Sequence, residues 1–406
     1  MRIIVSATLG GFSAGTWYAV NTARRLVSRG HEVLYIPRPA GESARRAESA
    51  GLRVTSDIDL EKKSPRRAYR NLRTLLNLMT SFGPDVVLAH GSGDHSFWGL
   101  ARLIGDRRMA LIRVRALDPK PPRRHALARW LHHKATDAVV TANTRHYAYY
   151  RSALAIPAER MRIIGGGIDP EEYRDTGDDA FRSNEISLPD GRRIVVLLAR
   201  FAPVKGHRVL LTAASRIRER HSDTHFLFVG RAAAYNGDQL RRWTFEMNLQ
   251  GAVTIVDRPL PSIPALLARC AIGVVASVGS ETVSRALLEY LASGLAVVAT
   301  DVGGVPDLLS RGEFGRLIPP DNSTAIAAAV SDLLDNDERR RRMGAAARAY
   351  VLGNCTWDQR VDEWERLLYE TIARVRGRDI APLNDGEPPG GCQESPPAVV
   401  LDGPVR

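Results

Sequence analysis

The chain has 406 residues, 44% of them apolar, and carries 57 Lys and Arg against 45 Asp and Glu for a formal net charge of +12. That length exceeds the size at which a single hydrophobic core stops growing, so two domains are expected. No run approaches the roughly 18 unbroken apolar residues of a membrane span, MRIIVSATLGGF enters a strand without a signal-peptide pattern, and Cys270, Cys355 and Cys392 lack metal or disulfide spacing; the expectation is a cytoplasmic protein with reduced thiols and no structural metal.

In chain order, IIVSA, EVLYI, DVVLAH, ALIRVRA, AVVTA and MRIIGG read as strands, with AVNTARRLVSRG, AYRNLRTLLNLM and ALARWLHHKA as helices among them. Such alternation specifies a parallel sheet wound on both faces. Residues 1–172 form this first domain, and they hold the whole charge excess: 28 Lys and Arg against 15 Asp and Glu up to Glu172, then 29 against 30. Clusters stand at Lys62, Lys63, Arg66, Arg67, Arg70 and Arg73, at Arg107 and Arg108, and at Lys120, Arg123, Arg124, Arg129 and Lys134. They point to an anionic partner, such as a membrane leaflet or phosphorylated lipid. No RNP, basic-zipper or zinc-finger pattern appears, so nucleic acid is not expected.

Two places in this domain suit a ligand. Gly10 and Gly11 end the first strand ahead of a helix, where backbone can approach phosphate or sugar closely. With Gly15 they form G-G-x3-G, which is not the dinucleotide fingerprint, and EVLYIPRP lacks the acid that would hold a ribose, so no nicotinamide cofactor is expected. His90, Asp94 and His95 follow DVVLA, at the carboxyl end of a strand, where open parallel sheets bind ligands.

The polar stretch from Tyr173 to 191 reads as a linker. Alternation resumes over 192–356 with IVVLLAR, a helix from His207 to Arg220, HFLFVG, a helix from Gly237 to Leu249, AVTIVD, a helix from Ile263 to Cys270, AIGVVAS, SRALLEYLAS ended by Gly294, and LAVVAT. Helical patterns then fill Ser323–Asp335, Asp337–Val351 and an amphipathic segment over 357–376 that is expected to pack back on the first domain. Residues 377–406, rich in Pro and Gly, read as a disordered tail.

Chemistry concentrates in the second domain. Arg200 and Lys205 follow its first strand, a planar fork and a point charge that together can clamp a diphosphate. Glu281 and Glu289, with seven residues between them, follow AIGVVAS, where Ser280 offers a helix cap. Helical rise would separate the two carboxylates by about 12 Å, which suits an extended ligand such as a sugar nucleotide. Glu289 lies among Ala286, Leu287, Leu288 and Leu291, so its carboxylate requires a polar partner.

The string R-x4-K-G, then E-x7-E and VVATDVGGVPDLL, resembles the donor-binding domain of retaining GT-B glycosyltransferases of family 4, and the likeness runs through GGFSAGTWYAVNTARRLVSRGHEV, PDVVLAHGSGDH and ERMRIIGGGIDPEEY to about Arg376. It implies two doubly wound Rossmann-like α/β domains facing across a cleft, the acceptor on the first and a nucleotide-sugar donor on the second. By that likeness Arg200 and Lys205 hold the diphosphate, Glu289 bonds the ribose, amides of Thr282, Val283 and Ser284 face the distal phosphate, and the catalytic candidates Glu281 and His90 lie against the donor sugar. Asp94 and His95 are further candidates, and neither a cofactor nor a metal is implied. Three positions depart from the common pattern. Thr282 to Arg285 replace a Gly-Phe-Gly type loop and match lipopolysaccharide-core enzymes more closely; Gly166 to Asp169 replace Asn-Gly-Val-Asp; Ala116 stands where relatives often carry histidine. The implied acceptor is a lipid-linked or anionic glycan at the inner face of the cytoplasmic membrane. Rivals are a nucleotide-sugar epimerase or hydrolase of the same build, and a silent nucleotide-sugar-binding scaffold.

Overall fold

A computed structural model describes residues 1–9, 11, 13–55, 58–60, 64–116, 126–173, 177–182, 185–309 and 314–377. Gly10, the basic residues Lys62, Lys63, Lys120, Arg123 and Arg124, and the tail from 378 lie outside them. The first domain contains strands β1 (Arg2–Ala7), β2 (Glu32–Pro37), β3 (Arg53–Val54), β4 (Val86–Ala89), β5 (Ala110–Arg115), β6 (Ala138–Thr141) and β7 (Met161–Ile163). The second contains β8 (Arg193–Leu198), β9 (Thr224–Val229), β10 (Val253–Val256), β11 (Ile272–Val275), β12 (Ala296–Thr300) and β13 (Gly315–Ile318). Their orders are β3-β2-β1-β4-β5-β6-β7 and β10-β9-β8-β11-β12-β13, with every pairing parallel. In each sheet the order reverses beside the first strand, between β1 and β4 and between β8 and β11. Those two switch points place the loops after β4 and β11 at a crevice.

Both sheets are covered on both faces, which is why their strands read as unbroken apolar runs. In β1, Ile3, Val5 and Ala7 pack on one side and Ile4 on the other. In β8, Ile194 and Val196 face the helices Arg285–Ala292 and Asp337–Asn354, while Val195 and Leu197 face His207–Arg220 and Ser323–Asp335. The last helix, Trp357–Arg376, buries Trp357, Val361, Trp364 and Leu368 in the core of the first domain. It begins at a crossing where Ile168 N–H donates to Cys355 O at 2.8 Å and Trp357 N–H to Ile168 O at 3.1 Å.

Several boundaries differ from the sequence reading. Helices Glu42–Ser49, Ser92–Ile104 and Thr144–Leu154 appear where no helix was expected, and the linker contains a short one, Gly177–Arg182. The helices expected to reach Leu249 and Cys270 stop at Glu246 and Leu267. Ser280 caps nothing: the helix starts at Arg285, and its N-cap is Ser284 in the left-handed region (φ 50°, ψ 52°) without a side-chain cap bond.

Candidate functional site

β8 ends at Leu198, whose N–H donates to the Tyr290 hydroxyl at 2.6 Å. Arg200 follows and is exposed. A 3-10 turn at Pro203–Lys205 then closes on Gly206 (φ 68°), where a Cβ would stand 1.9 Å from Ala276 O. Only glycine lets this turn lie on the end of β11. The consequence is that Lys205 reaches across the switch point: its Nζ donates to Ser280 O at 3.1 Å and forms a close ion pair with the Glu281 carboxylate. Ser277 Oγ donates to the same Glu281 Oε1 at 2.6 Å, and Ser277 O in turn accepts from Thr300 Oγ1 at 2.6 Å. A third loop braces the backbone, since Gly304 N–H donates to Glu281 O at 2.7 Å. Glu281 is therefore held from β8, β11 and β12 at once.

Thr282 to Ser284 lead into the helix. Val283 packs into the core of the first domain, which leaves the Thr282 and Ser284 hydroxyls buried with no hydrogen-bond partner. Orphaned hydroxyls beside the unpaired N–H groups of a helix start form an anion-receptive corner. One turn further, Glu289 is 5% exposed and accepts from Arg285 Nε at 2.8 Å. The Arg285 guanidinium lies over the Trp17 ring of the first domain, 5.2 Å from its centroid. The Glu289 charge holds the Arg285 pKa above its ordinary value, while burial and then Glu289 push the Tyr173 hydroxyl upward. The carboxylate expected at a ribose is thus engaged by Arg285, and a ribose has to compete for it.

In the first domain the residues after β4 separate. His90 is buried with both ring nitrogens unpartnered, and burial followed by the Arg113 charge lowers its pKa to about 3. It is a neutral imidazole with one donor and one acceptor to offer. Asp94 is fully buried and turned inward, accepting from Ser6 Oγ at 2.9 Å, Thr8 Oγ1 at 2.7 Å and Gly91 N–H at 2.6 Å. Burial raises its pKa against these donors and Arg113. His95 points elsewhere, bonding Thr136 Oγ1 at 2.7 Å and lying 4.6 Å from the His132 ring. Asp94 and His95 are thereby placed in the interior of the domain, apart from Glu281. Gly11 is exposed at φ 70°, ahead of the helix Ala14–Ser28.

Residues with no signal in the sequence close the cleft. Asn143 Nδ2 donates to Thr282 O at 3.0 Å, Thr144 N–H to Asp307 at 2.7 Å, and Arg145 to Asp301 at 2.5 Å. Arg113 fixes the β4 loop by donating to Ala89 O at 2.9 Å and Gly91 O at 2.5 Å. Alternating patterns reveal strands, but partners across a domain interface lie more than a hundred residues away. Among the described residues no three His, Cys, Asp or Glu side chains gather as a metal site, and no helix is long and apolar enough to cross a membrane.

Residues 15–172 match the family described as Glycosyltransferase Family 4, and residues 192–336 match the one described as Glycosyl transferases group 1. The chain is 30% identical over 224 residues to spore coat protein SA of Bacillus subtilis, covering 52% of this chain and 59% of that protein. It is 30% identical over 195 residues to D-inositol 3-phosphate glycosyltransferase of Corynebacterium glutamicum, 47% of each chain. These matches span about half the length of those relatives. In fold it resembles Anabaena Alr3699/HepE in complex with UDP and glucose, with a TM-score of 0.75 at 18% identity over 91% of this chain and 100% of that one.

Proposed function

Because the chain belongs to the family 4 glycosyltransferases of the GT-B type, we propose that it transfers a sugar from a nucleotide diphosphate donor to an acceptor hydroxyl with retention of configuration. The second domain holds the donor and the first presents the acceptor. One observation carries this reading: Lys205, Glu281 and Ser277 are locked together at the carboxyl ends of β8 and β11, beside two buried hydroxyls with no partner. A diphosphate placed there meets Lys205 and exposed Arg200 as cations and the helix start as donor, which offsets charge on the leaving group. That is the electrostatic work a divalent metal does in other transfer sites. The acceptor oxygen attacks the anomeric carbon from the face the diphosphate leaves, and its proton passes to a departing phosphate oxygen. Glu281 orients the donor sugar through its hydroxyls, and neutral His90 bonds the same sugar from the first domain.

For the acceptor, we infer a lipid-linked or anionic glycan of the cell envelope, of lipopolysaccharide-core kind, met at the cytoplasmic face of the membrane. Support comes from the basic first domain, where Arg66, Arg67, Arg70 and Arg73 lie along the helix Pro65–Ser81 with an exposed Tyr69. The inositol phosphate in the name of the corynebacterial relative is likewise an anionic acceptor. A melting-temperature screen with UDP-, GDP- and ADP-sugars tests the donor reading, since a ligand of the folded state raises the midpoint. One nucleotide class is expected to raise it and to turn over only when an acceptor is added. No shift from any donor refutes the reading, and donor conversion without acceptor replaces it with an epimerase or hydrolase.

A further inference from the structure

Where the two domains meet, helix Thr144–Leu154 of the first begins against the loop that precedes helix Arg285–Ala292 of the second. Asn143 stands at that start, fully buried, and its amide bonds in two directions. Oδ1 accepts from His146 N–H at 2.8 Å and so caps its own helix, while Nδ2 donates across the interface to Thr282 O at 3.0 Å. The carbonyl before it in the loop, Glu281 O, is taken by Gly304 N–H at 2.7 Å. Gly304 is wedged in place, since a Cβ there would stand 3.0 Å from both Asn143 Cβ and Thr282 O. Beside this contact Thr144 N–H bonds Asp307 and Arg145 bonds Asp301, and both bonds leave the carbonyls of the loop alone.

A trans peptide is planar, so its C=O and the N–H that follows point in opposite directions. Fixing Thr282 O on Asn143 therefore fixes the Val283 N–H as well, turned away from Asn143. Among the described residues the N–H groups of Thr282, Val283 and Ser284 have no hydrogen-bond partner, and the Thr282 and Ser284 hydroxyls are likewise orphaned. Val283 is 4% exposed, and an N–H in so buried a place demands an acceptor. We propose that Asn143 is a positioning residue for the donor: from the first domain it sets the peptide plane whose N–H receives the distal phosphate in the second. The role rests on Thr282 to Ser284 being the seat of that phosphate. A cap alone would need Oδ1 and no bond from Nδ2.

Asn143→Ser separates the two bonds, because serine caps a helix as well as asparagine does, while its shorter side chain does not reach Thr282 O. UDP, GDP and ADP, each beside its monophosphate, are titrated calorimetrically into the full chain as wild type, Asn143→Ser and Asp307→Ala. Wild type is expected to bind at least one diphosphate. Asn143→Ser should bind that diphosphate about ten times more weakly, the loss of one hydrogen bond to a charged group. Its affinity for the matching monophosphate should stay within about twofold of wild type, which also shows that the variant has folded. Asp307→Ala, which breaks a neighbouring contact between the domains, should keep diphosphate affinity within about twofold. Unchanged diphosphate affinity in Asn143→Ser, an equal loss for the monophosphate, or an equal loss in Asp307→Ala overturns the role of Asn143 and leaves the donor site standing. A wild type that binds none of the three diphosphates overturns the donor site, and the role of Asn143 with it.

Discussion

Two loops occupy the same topological position, one after β4 in the first domain and one after β11 in the second, and each contributes a carboxylate. Asp94 after β4 is sealed inside and gives its oxygens to Ser6, Thr8 and Gly91. Glu281 after β11 has a side chain 12% exposed and is shared between Lys205 and Ser277. A carboxylate whose donors all come from its own domain's backbone turns and hydroxyls holds a loop in shape. One paired with a lysine from a neighbouring strand's loop, at a rim that solvent reaches, keeps a group that a ligand can claim. Position in the topology nominates both residues, and only the bonding partners tell them apart.

The largest effect that can break this contrast is expected at Lys205. Lys205→Met removes the cation from the diphosphate and leaves Glu281 without its ion pair, so kcat with the best donor should fall on the order of 100- to 1,000-fold, read by nucleotide release. Asp94→Asn should act on folding instead: its amide turns a donor toward donors in a buried place, a loss of about 2–4 kcal/mol seen in chemical unfolding, with donor affinity retained.

His90 sharpens the contrast through pH. Burial and Arg113 set its pKa at about 3 in the folded chain, against about 6.5 unfolded. The unfolded chain takes up a proton that the folded one refuses, so stability is lost as pH falls from about 6.5 toward 3. Between pH 7 and 5 one such histidine accounts for about 2 kcal/mol. His90→Gln should remove that share of the acid loss, measured by urea unfolding at the two pH values. The smallest effect is expected at Ser284, whose φ of 50° is strained for a residue with a Cβ. Ser284→Gly should stabilise by about 1 kcal/mol while weakening donor binding, because it also deletes a buried hydroxyl.

The two-sheet architecture was legible because parallel strands covered on both faces appear as apolar runs, and because Gly294 ends the helix that follows β11. Lys205 and Glu281, which the structure pairs, were both nominated by spacing and resemblance. What spacing could not supply was engagement. Arg285 looks like a surface cation in the sequence, yet it bridges Glu289 and Trp17 between domains. His90, Asp94 and His95 read alike as polar residues after a strand, and they part company only when Ser6, Thr136 and Arg113, distant in the chain, are brought beside them. Ser280 reads as a cap because Ser favours that position, but the chain first bends at Thr282 and Val283, where Val283 packs into the core of the first domain, and the helix starts only at Arg285.

The central claim is that the diphosphate of a nucleotide sugar sits against Lys205. Calorimetric titration of the responsive donor into wild type, Lys205→Met and Asp94→Asn tests it most directly. Wild type and Asp94→Asn should bind with affinities within about threefold of each other, and Lys205→Met at least tenfold more weakly, about 1.4 kcal/mol or more. Full affinity in Lys205→Met, with loss in Asp94→Asn, would place the donor in the first domain and contradict the account.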